Sequence, residues 1–296
     1  MKKLLFIFLA ARPKTLSAGI VPVWLGCMVV HRFGLPWDGR LALFTLASAL
    51  CLQIACNIFN DAIDCDKKAD TSERQGPVRM TASGRLSSRA VHAIALAFLA
   101  AACVPAVPLI ELRGWPIVAI GALSMFFAYG YTGGPWPLAY KGLGEAFVIL
   151  FFGVAAVAGT VFVQIGWQEE FARVYLAALM VGVQCGMLSS VMIEVNNIRD
   201  RKEDAKTGKR TLAVRLGDAR ARGLALSFVV ATYVTLPQLS RILPGISLNW
   251  GWLPLLAAAG FLLAKINRTP ADVRMNAVLG LAAFHLLLYA ATLTFV

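Results

Sequence analysis

Long apolar runs separated by short polar connections recur along the whole chain. A helix needs about 20 mostly apolar residues to cross the hydrocarbon of a bilayer, and the pattern predicts nine such segments. They are 16–31, 39–59, 89–110, 115–131, 142–165, 172–195, 222–241, 249–265 and 276–296. The longest connections, 60–88 and 196–221, are too short for a separate soluble domain. The sequence therefore predicts an all-α fold, an integral membrane bundle of nine transmembrane helices, as one domain over residues 1–296.

The N-terminal segment MKKLLFIFLAA has the form of a secretory signal, with two lysines before an apolar run. Arg12, Pro13 and Lys14 follow at once, and the first predicted span begins within a few residues. This arrangement favours a retained segment over a cleaved one. We expect an interfacial lead-in helix here.

The composition agrees with a membrane protein, because 58% of the residues are hydrophobic, 15% are charged and the mean hydropathy is +0.69. The six cysteines lie mostly inside predicted spans without CxxC spacing, so they predict neither a disulfide framework nor a metal site. The three histidines are far apart and form no ligand pattern. Candidate chemistry is therefore confined to the polar connections.

Basic residues are concentrated on one side of the predicted bundle. With nine spans, the N-terminus and the even-numbered connections share a side, and this side carries 23 of the 28 Lys and Arg residues. The positive-inside rule places it in the cytoplasm. We expect a multi-pass protein of the cell (inner) membrane with both long connections cytoplasmic. The net charge of +12 belongs to this membrane face, and no nucleic-acid partner is expected.

Two acidic motifs follow the second and sixth predicted spans. The first is CNIFNDAID (56–64) and the second is VNNIRDRKED (195–204), and each places asparagine before aspartates. Asp61 and Asp64 are three residues apart, and Asp200 and Asp204 are four apart, so each pair shares a helix face if the helix continues. Because four spans separate the motifs, both emerge on the same side. A bundle is therefore able to bring them together.

Clustered carboxylates need a cation. An unpaired charge at the bilayer centre costs about 2.5–3.5 kcal/mol on insertion scales, and Mg²⁺ is usually held by one or two carboxylates plus substrate phosphates. The two motifs are suited to hold two Mg²⁺ ions around one diphosphate. Cationic side chains would bind the remaining phosphate oxygens. The candidates are Arg74, Arg79, Lys209, Arg210 and Arg215.

Two other interpretations remain open at this point. Charged loops are often simply solvated, and Asp66, beside Lys67 and Lys68, fits that interpretation best, as do Glu203 and Asp218. A secondary transporter is the alternative from another class, since repeat-like halves and polar residues near helix ends occur there too. Against it, the acids lie at the ends of the spans rather than near the midplane.

The residues resemble the UbiA superfamily of intramembrane aromatic prenyltransferases, nine-helix proteins with Asp-rich motifs after helices two and six. The usual motifs are N-D-x-x-D-x-x-x-D and D-x-x-x-D. Matching positions in this chain are Asn60, Asp61 and Asp64 for the first motif and Asp200 and Asp204 for the second. The chain departs from the first motif at its last aspartate, where it has Lys68, and the next acid is Asp70.

This longer spacing resembles the branch that prenylates 1,4-dihydroxy-2-naphthoate. Other strings resemble the same branch: RPKTL (12–16), RQGPVR (74–79), YKGLGE (140–145), NNIRD (196–200) and GKRTLAVRLG (208–217). The chain lacks the Arg-Pro-Leu that tends to follow the first motif in the hydroxybenzoate branch. A sister enzyme acting on 4-hydroxybenzoate, homogentisate or a tetrapyrrole remains the alternative within the superfamily.

The resemblance implies Mg²⁺-dependent transfer of a polyprenyl group from polyprenyl diphosphate to an aromatic acceptor, within the lipid bilayer. For the naphthoate branch the ring carboxylate leaves as CO₂, which gives demethylmenaquinol. The implied metal ligands are Asp64, Asp70, Asp200 and Asp204.

Further roles follow from the same resemblance. Asn60 and Asn197 would orient ligands or contribute an oxygen, and Asp61 would be a ligand or a nearby base. Arg12 and Lys14 would reach the diphosphate, although a simple positive-inside anchor is the alternative. The residues expected to border the acceptor pocket are Tyr131, Tyr140 and Lys141.

Overall fold

The computed structural model describes residues 10–69, 75–76, 79–81, 84–247 and 249–296, and within these ranges the chain is helical without any strand. The predicted lead-in segment lies mostly outside the described residues. So do Asp70 and Arg74.

Apolar helices occupy every predicted span. Their bounds are α1 Ser17–Arg32, α2 Gly39–Asp66, α3 Ser88–Arg113, α4 Trp115–Gly130, α5 Gly144–Ile165, α6 Ala172–Lys206, α7 Asp218–Ile242, α8 Leu253–Arg268 and α9 Met275–Phe295. A 3₁₀ turn, Pro13–Thr15, precedes α1, and a five-residue helix, Leu212–Leu216, precedes α7. α2 and α6 are longer than predicted. Both acidic motifs are therefore helical rather than part of loops.

Eight helices of the described chain are long enough and apolar enough to cross a membrane. The remaining apolar helix, α4, has 16 residues, which corresponds to about 24 Å at 1.5 Å per residue. The hydrocarbon core is about 30 Å thick. The prediction of an all-α, multi-pass membrane bundle is confirmed, and the exact count of nine spans is not.

The helices pack in two groups. The larger buried core surrounds α6 and includes apolar residues of α1, α5, α7, α8 and α9. A smaller core joins α2 to α3 and the end of α4, through residues such as Ile58, Val91 and Ala128. The first acidic motif lies on the smaller group and the second on the larger one. A cavity at the junction of the groups is therefore reached by both.

Glycines set the distance between α5 and α6. α5 contains a π-helical segment, Ile149–Ala155, and a Cβ atom on Gly153 would lie 2.3 Å from the carbonyl oxygen of Gly182. A Cβ atom on Gly186 would lie 2.6 Å from the Cα of Ile149. Small residues allow such backbone contact between membrane helices. The contact holds the first turn of α5 beside the polar end of α6.

Candidate active site

A cavity of about 450 Å³ lies where α1, α2, α5, α6 and α9 meet. Residues from both acidic motifs line it: Asn60, Asp64, Asn197, Asp200 and Asp204. The motifs are far apart in the chain, and the fold places them on one cavity.

Asp64 is the most enclosed carboxylate of the first motif, with 1% of its surface exposed. Its Oδ2 accepts hydrogen bonds from Arg79 Nη2 at 2.7 Å and Lys209 Nζ at 3.3 Å. Its Oδ1 accepts one from the Tyr140 hydroxyl at 2.8 Å. Charge-assisted hydrogen bonds of this kind are what a buried carboxylate requires. Asp64 therefore joins three different connections of the fold at one point.

Asp61 contacts a loop instead of the cavity, although it lies one turn before Asp64. Its carboxylate accepts hydrogen bonds from the backbone N–H of Met80 at 2.8 Å and of Thr81 at 3.2 Å, and from the Thr81 hydroxyl. These bonds anchor residues 79–81 against α2. They thereby hold Arg79 over Asp64.

The connection between α4 and α5 is tied to the end of α2. The Asn60 side-chain oxygen accepts a hydrogen bond from the Thr132 hydroxyl. Lys67 Nζ donates to the carbonyl oxygens of Thr132 at 2.6 Å and Gly133 at 3.2 Å. The connection therefore covers one side of the first motif.

Lys67 completes a cationic group around the Tyr140 ring. Its Nζ lies 4.4 Å from the ring centroid, and Lys209 Nζ lies 5.3 Å from the same centroid. Burial lowers the pKa of Lys67; Asp64 acts in the opposite direction, and Lys209 adds to the lowering. Two lysine ammonium groups beside one ring indicate a site that favours the binding of an anion.

In the second motif, one aspartate is bonded by its neighbour on the same helix. Arg199 donates from Nε and Nη2 to the two carboxylate oxygens of Asp200, each at 2.7 Å. Arg199 also donates from Nη1 to Asn276 Oδ1 on α9 at 2.5 Å. Asp204 lines the cavity one turn further along α6 and is largely buried. The second motif thus presents two carboxylates on a single continuous helix.

The structure adds two buried acids in contact with each other, Glu145 and Glu194, that the sequence motifs did not assign. Glu145, in the first turn of α5, lines the cavity and is 2% exposed. Its Oε1 accepts a hydrogen bond from Asn197 Nδ2 at 2.7 Å. Its presence at the start of an apolar span, inside the string YKGLGE, was the available signal.

The predicted cationic residues divide into two sets. Four line the cavity: Arg12, Lys14, Arg79 and Lys209. Arg210 and Arg215 are exposed and contact each other, with Arg215 Nε donating to the Arg210 carbonyl at 3.1 Å. Neither reaches the cavity lining. The structure thus separates the phosphate-binding candidates by position.

The residues expected at the acceptor pocket also differ in position. Tyr131 lines the cavity, and Tyr140 reaches it through its bond to Asp64. Lys141 is exposed, with its Nζ 4.0 Å from the centre of the Trp136 ring. It does not line the cavity, because its side chain lies on this outer aromatic surface.

Asp66 lies outside the site, as expected for a solvated residue. Its side chain is 50% exposed and its Oδ2 lies 3.0 Å from His92 Nε2. The roles expected for Asp70 and Arg74 fall on residues that are not described.

A second cavity, also about 450 Å³, adjoins the first and is lined mostly by apolar residues of α1 to α5. Five residues line both cavities: Ala18, Gln53, Cys56, Phe147 and Phe152. A ligand with a charged head and an apolar tail matches this pair of spaces.

Carboxylate oxygens are suitable ligands for Mg²⁺, and three aspartates line the first cavity. Among the described residues, no group of three or more His, Cys, Asp or Glu is placed to hold an ion by itself. In proteins Mg²⁺ usually keeps several waters and is held by one or two carboxylates together with substrate phosphates. The side chains present therefore fit a shared metal and diphosphate site.

Comparison with known proteins supports the same reading. Residues 19–288 match the UbiA prenyltransferase family. The chain is 34% identical over 255 residues to 1,4-dihydroxy-2-naphthoate octaprenyltransferase of Escherichia coli. The aligned region covers 83% of this chain and 79% of the relative. It is 38% identical over 216 residues to the Mycobacterium tuberculosis enzyme of the same name, covering 72% and 70%.

The fold is shared with solved structures. A UbiA homologue from Archaeoglobus fulgidus bound to GPP and Mg²⁺ superposes with a TM-score of 0.61 at 15% identity, covering 97% of this chain and 98% of that one. At this identity the similarity concerns the fold. The family match and the relatives confirm the resemblance drawn from the acidic motifs, and the chain belongs to the UbiA prenyltransferase family.

Proposed function

We propose that the protein transfers a polyprenyl group from polyprenyl diphosphate to 1,4-dihydroxy-2-naphthoate, with loss of CO₂, giving demethylmenaquinol. The observation that carries the proposal is that both acidic motifs line one cavity, which adjoins a second, apolar cavity. Relatives at 34% and 38% identity bear the name of a naphthoate octaprenyltransferase. The combination of site and relatives supports this reaction over transport.

Mg²⁺ would be held by Asp64 of the first motif and by Asp200 and Asp204 of the second, with Asp70 as a further ligand. The Archaeoglobus homologue carries Mg²⁺ with its prenyl diphosphate, and two ions are the number we propose. When bound, the metal neutralises the negative charge that grows on the departing diphosphate. Asn60 and Asn197 line the same cavity from the preceding turns of α2 and α6 and would contribute an oxygen there.

Cationic side chains bind the diphosphate oxygens. Arg79 and Lys209 hydrogen-bond Asp64, and we propose that both turn to the diphosphate once a metal takes up that carboxylate. Arg12 and Lys14 line the same cavity from the start of α1. Developing charge on the leaving group is thereby met by groups already in place.

The apolar cavity accommodates the isoprenoid tail. Burying such a tail among apolar side chains is favourable because it removes apolar surface from water. Phe147 and Phe152 line both cavities, where the allylic carbon joins the diphosphate. Aromatic faces attract cations and keep water from the allylic cation until the ring attacks.

All nine helices cross the membrane in this proposal, α4 included. The two motifs form the last turns of the second and sixth helices and line one cavity. If α4 did not cross, an odd number of crossings would separate the motifs and place them on opposite faces. By the positive-inside rule, the face that carries both motifs would be the cytoplasmic face of the cell (inner) membrane.

The direct test is prenyl transfer in membranes containing the expressed protein. Labelled polyprenyl diphosphate is supplied with either 1,4-dihydroxy-2-naphthoate or 4-hydroxybenzoate. We expect label in the naphthoate product only, and no product in excess EDTA. Exclusive labelling of hydroxybenzoate would overturn the acceptor assignment. Transfer that persists in EDTA would overturn the metal requirement.

A further inference from the structure

The apolar cavity extends well beyond the residues that it shares with the polar cavity. On α5, Phe152 lines both cavities, and the apolar lining continues along the helix to Val163. On α2, Gln53 lines both, and the apolar lining continues back to Thr45. At 1.5 Å per residue these extensions correspond to about 16 Å on α5 and about 12 Å on α2. Two helices thus give the apolar cavity a similar depth.

The deep part of this cavity suits a hydrocarbon chain. Three of the hydroxyl side chains that line it donate to backbone carbonyls: Thr45 to Leu41 at 2.8 Å, Ser48 to Ala102 at 3.0 Å and Thr160 to Ala156 at 2.7 Å. A polar group buried without a hydrogen-bond partner is unfavourable. An isoprenoid tail needs no such partner, and most of the remaining lining is apolar.

Two glycines line this space, one on α4 and one on α5. Gly121 lies four residues before Met125 on α4, and Gly159 lies four residues before Val163 on α5. All four residues line the cavity. Residues four apart share a helix face. A side chain at position 121 or 159 would therefore point into the cavity.

Neither glycine is needed for close helix packing. Leaving aside its own helix backbone, a Cβ atom on Gly121 or Gly159 would have no heavy atom of the described residues within 4 Å. In contrast, a Cβ atom on Gly153 or Gly182 would collide with the facing helix. The missing side chains at positions 121 and 159 therefore leave cavity volume open, whereas those at 153 and 182 permit a helix contact.

Both glycines lie at a similar distance from the polar cavity. The rings of Tyr131 and Phe147 line that cavity, with their centroids 5.4 Å apart. Gly121 precedes Tyr131 by ten residues and Gly159 follows Phe147 by twelve, which correspond to about 15 Å and 18 Å of helix. An extended isoprene unit spans about 5 Å, because it adds four carbon–carbon bonds of about 1.5 Å each. The third or fourth unit of a tail that starts beside Phe147 would reach the glycines.

Past the glycines the cavity borders the bilayer. Val118 and Ile120 lie on α4 between Gly121 and the N-terminal end of the helix, and both line the cavity and have exposed side chains. In a membrane bundle such exposed apolar side chains contact lipid. The end of a tail longer than the cavity is therefore able to continue into the hydrocarbon of the membrane.

We propose that Gly121 and Gly159 keep open the passage for isoprene units beyond the second, and thereby determine which tail lengths the protein accepts. This inference rests on the proposed function, in which the diphosphate binds at the acidic motifs and the tail lies in the apolar cavity. Tails of one or two units end before the glycines, whereas longer tails extend past them.

The test compares kcat/KM for geranyl diphosphate, with two isoprene units, and octaprenyl diphosphate, with eight, in wild type, Gly121→Leu and Gly159→Leu. We expect kcat/KM for octaprenyl diphosphate to fall about 10- to 100-fold in each variant, because a side chain added to an occupied space must displace its neighbours. The value for geranyl diphosphate should stay within about twofold of wild type, because two units do not reach the added side chain.

Gly260→Leu is the matched control. Gly260 lies on α8 and lines neither cavity. A Cβ atom there also has no heavy atom within 4 Å in the part of the chain that is described, apart from its own helix backbone. We expect kcat/KM for both donors to stay within about twofold of wild type in this variant, because the added side chain does not enter the cavity.

Equal falls for both donors in the two cavity variants would show a general structural effect and overturn the proposal. Octaprenyl values within about twofold of wild type in both variants would also overturn it. Melting in detergent identifies a leucine variant that does not fold. Gly159→Ala, which adds one methyl group to open space, then provides the readout, with a smaller fall for octaprenyl diphosphate and none for geranyl diphosphate.

Failure of the proposed function would look different. If wild type transferred the prenyl group only to 4-hydroxybenzoate, the naphthoate assignment would fall, and the two donors would be compared with that acceptor. If wild type transferred no prenyl group, Mg²⁺-dependent binding of the two labelled diphosphates would test the passage. We would then expect the leucine variants to weaken the binding of octaprenyl diphosphate and leave that of geranyl diphosphate unchanged.

Discussion

The two acidic motifs line one cavity, but their carboxylates are held in different ways. Asp64 in the first motif is bound by Arg79, Lys209 and Tyr140, which come from three other segments. Asp200 in the second motif is bound by its neighbour Arg199 on the same helix. The first motif therefore depends on loops that meet only in the folded protein, whereas the contacts described for Asp200 lie on α6 itself, through Arg199, which is bonded to α9.

The difference implies a division of roles. Arg79 and Lys209 both contact Asp64, so substrate and metal binding must redistribute these contacts. The Asp200 and Arg199 pair is anchored by Asn276 and is able to stay in place. We expect the first motif to respond to the substrate and the second to serve as a fixed frame.

The largest effect is expected from Asp64→Ala compared with Asp200→Ala. Both remove a proposed metal ligand, so both should lower kcat by about 10²–10³-fold. Asp64→Ala should also destabilise the protein by about 3–5 kcal/mol, because it removes the buried carboxylate shared by Arg79, Lys209 and Tyr140. Asp200→Ala should cost less, since the Asp200 side chain is 12% exposed, against 2% for Asp64. Thermal unfolding in detergent and the transfer assay measure the two effects, and equal losses of stability would remove the distinction.

Arg79→Gln tests the cationic side of the first motif. Removal of a charge-assisted hydrogen bond costs about 1.5–3 kcal/mol, so KM for polyprenyl diphosphate should rise about 10- to 100-fold. The exposed Arg215→Gln is the control, and we expect its KM to stay within about twofold of wild type. Similar KM values for both variants would place Arg79 outside phosphate binding.

Tyr140→Phe removes one neutral donor from Asp64. A hydrogen bond of this kind contributes about 0.5–1.5 kcal/mol, so the Mg²⁺ concentration for half-maximal rate should shift by about two- to tenfold. Tyr175→Phe is the matched control, because its hydroxyl bonds the carbonyl of Gly166 at 2.5 Å, away from the cavity. A shift of the same size in the control would exclude a specific role for Tyr140.

Asp66→Ala should have the smallest effect. Its side chain is half exposed and its pairing with His92 lies at the surface, where ion pairs contribute about 0–1 kcal/mol. We expect kcat and both KM values within about twofold of wild type in the transfer assay. A loss comparable to that of Asp64→Ala would mean that the first motif extends to Asp66.

The helices could be predicted from the sequence because the bilayer requires long apolar runs, and each predicted span became a helix. The ends of α2 and α6 could not, since their last turns are polar and hydropathy does not distinguish them from loops. They continue to Asp66 and Lys206. These extra turns carry the acidic motifs into the cavity.

Side-chain roles could be predicted only in part. Helical spacing places Asp61 and Asp64 on the same face of the helix. In the structure, however, Asp61 is hydrogen-bonded to residues 79–81, whereas Asp64 lines the cavity. That difference depends on a loop contact that spacing does not encode. The role of Glu145 could not be predicted either, because a single acid beside an apolar run forms no repeated motif. Its partner, Asn197, is brought to it by the packing of α5 on α6.

The most direct test of a shared site is Mg²⁺-dependent binding of labelled polyprenyl diphosphate to purified wild type, Asp64→Asn and Asp200→Asn. We expect wild type to bind more tightly as Mg²⁺ is raised and each substitution alone to remove most of this dependence, because both motifs hold the same metal–diphosphate unit. Wild-type Mg²⁺ dependence in either variant would contradict the claim that the two acidic motifs form one site.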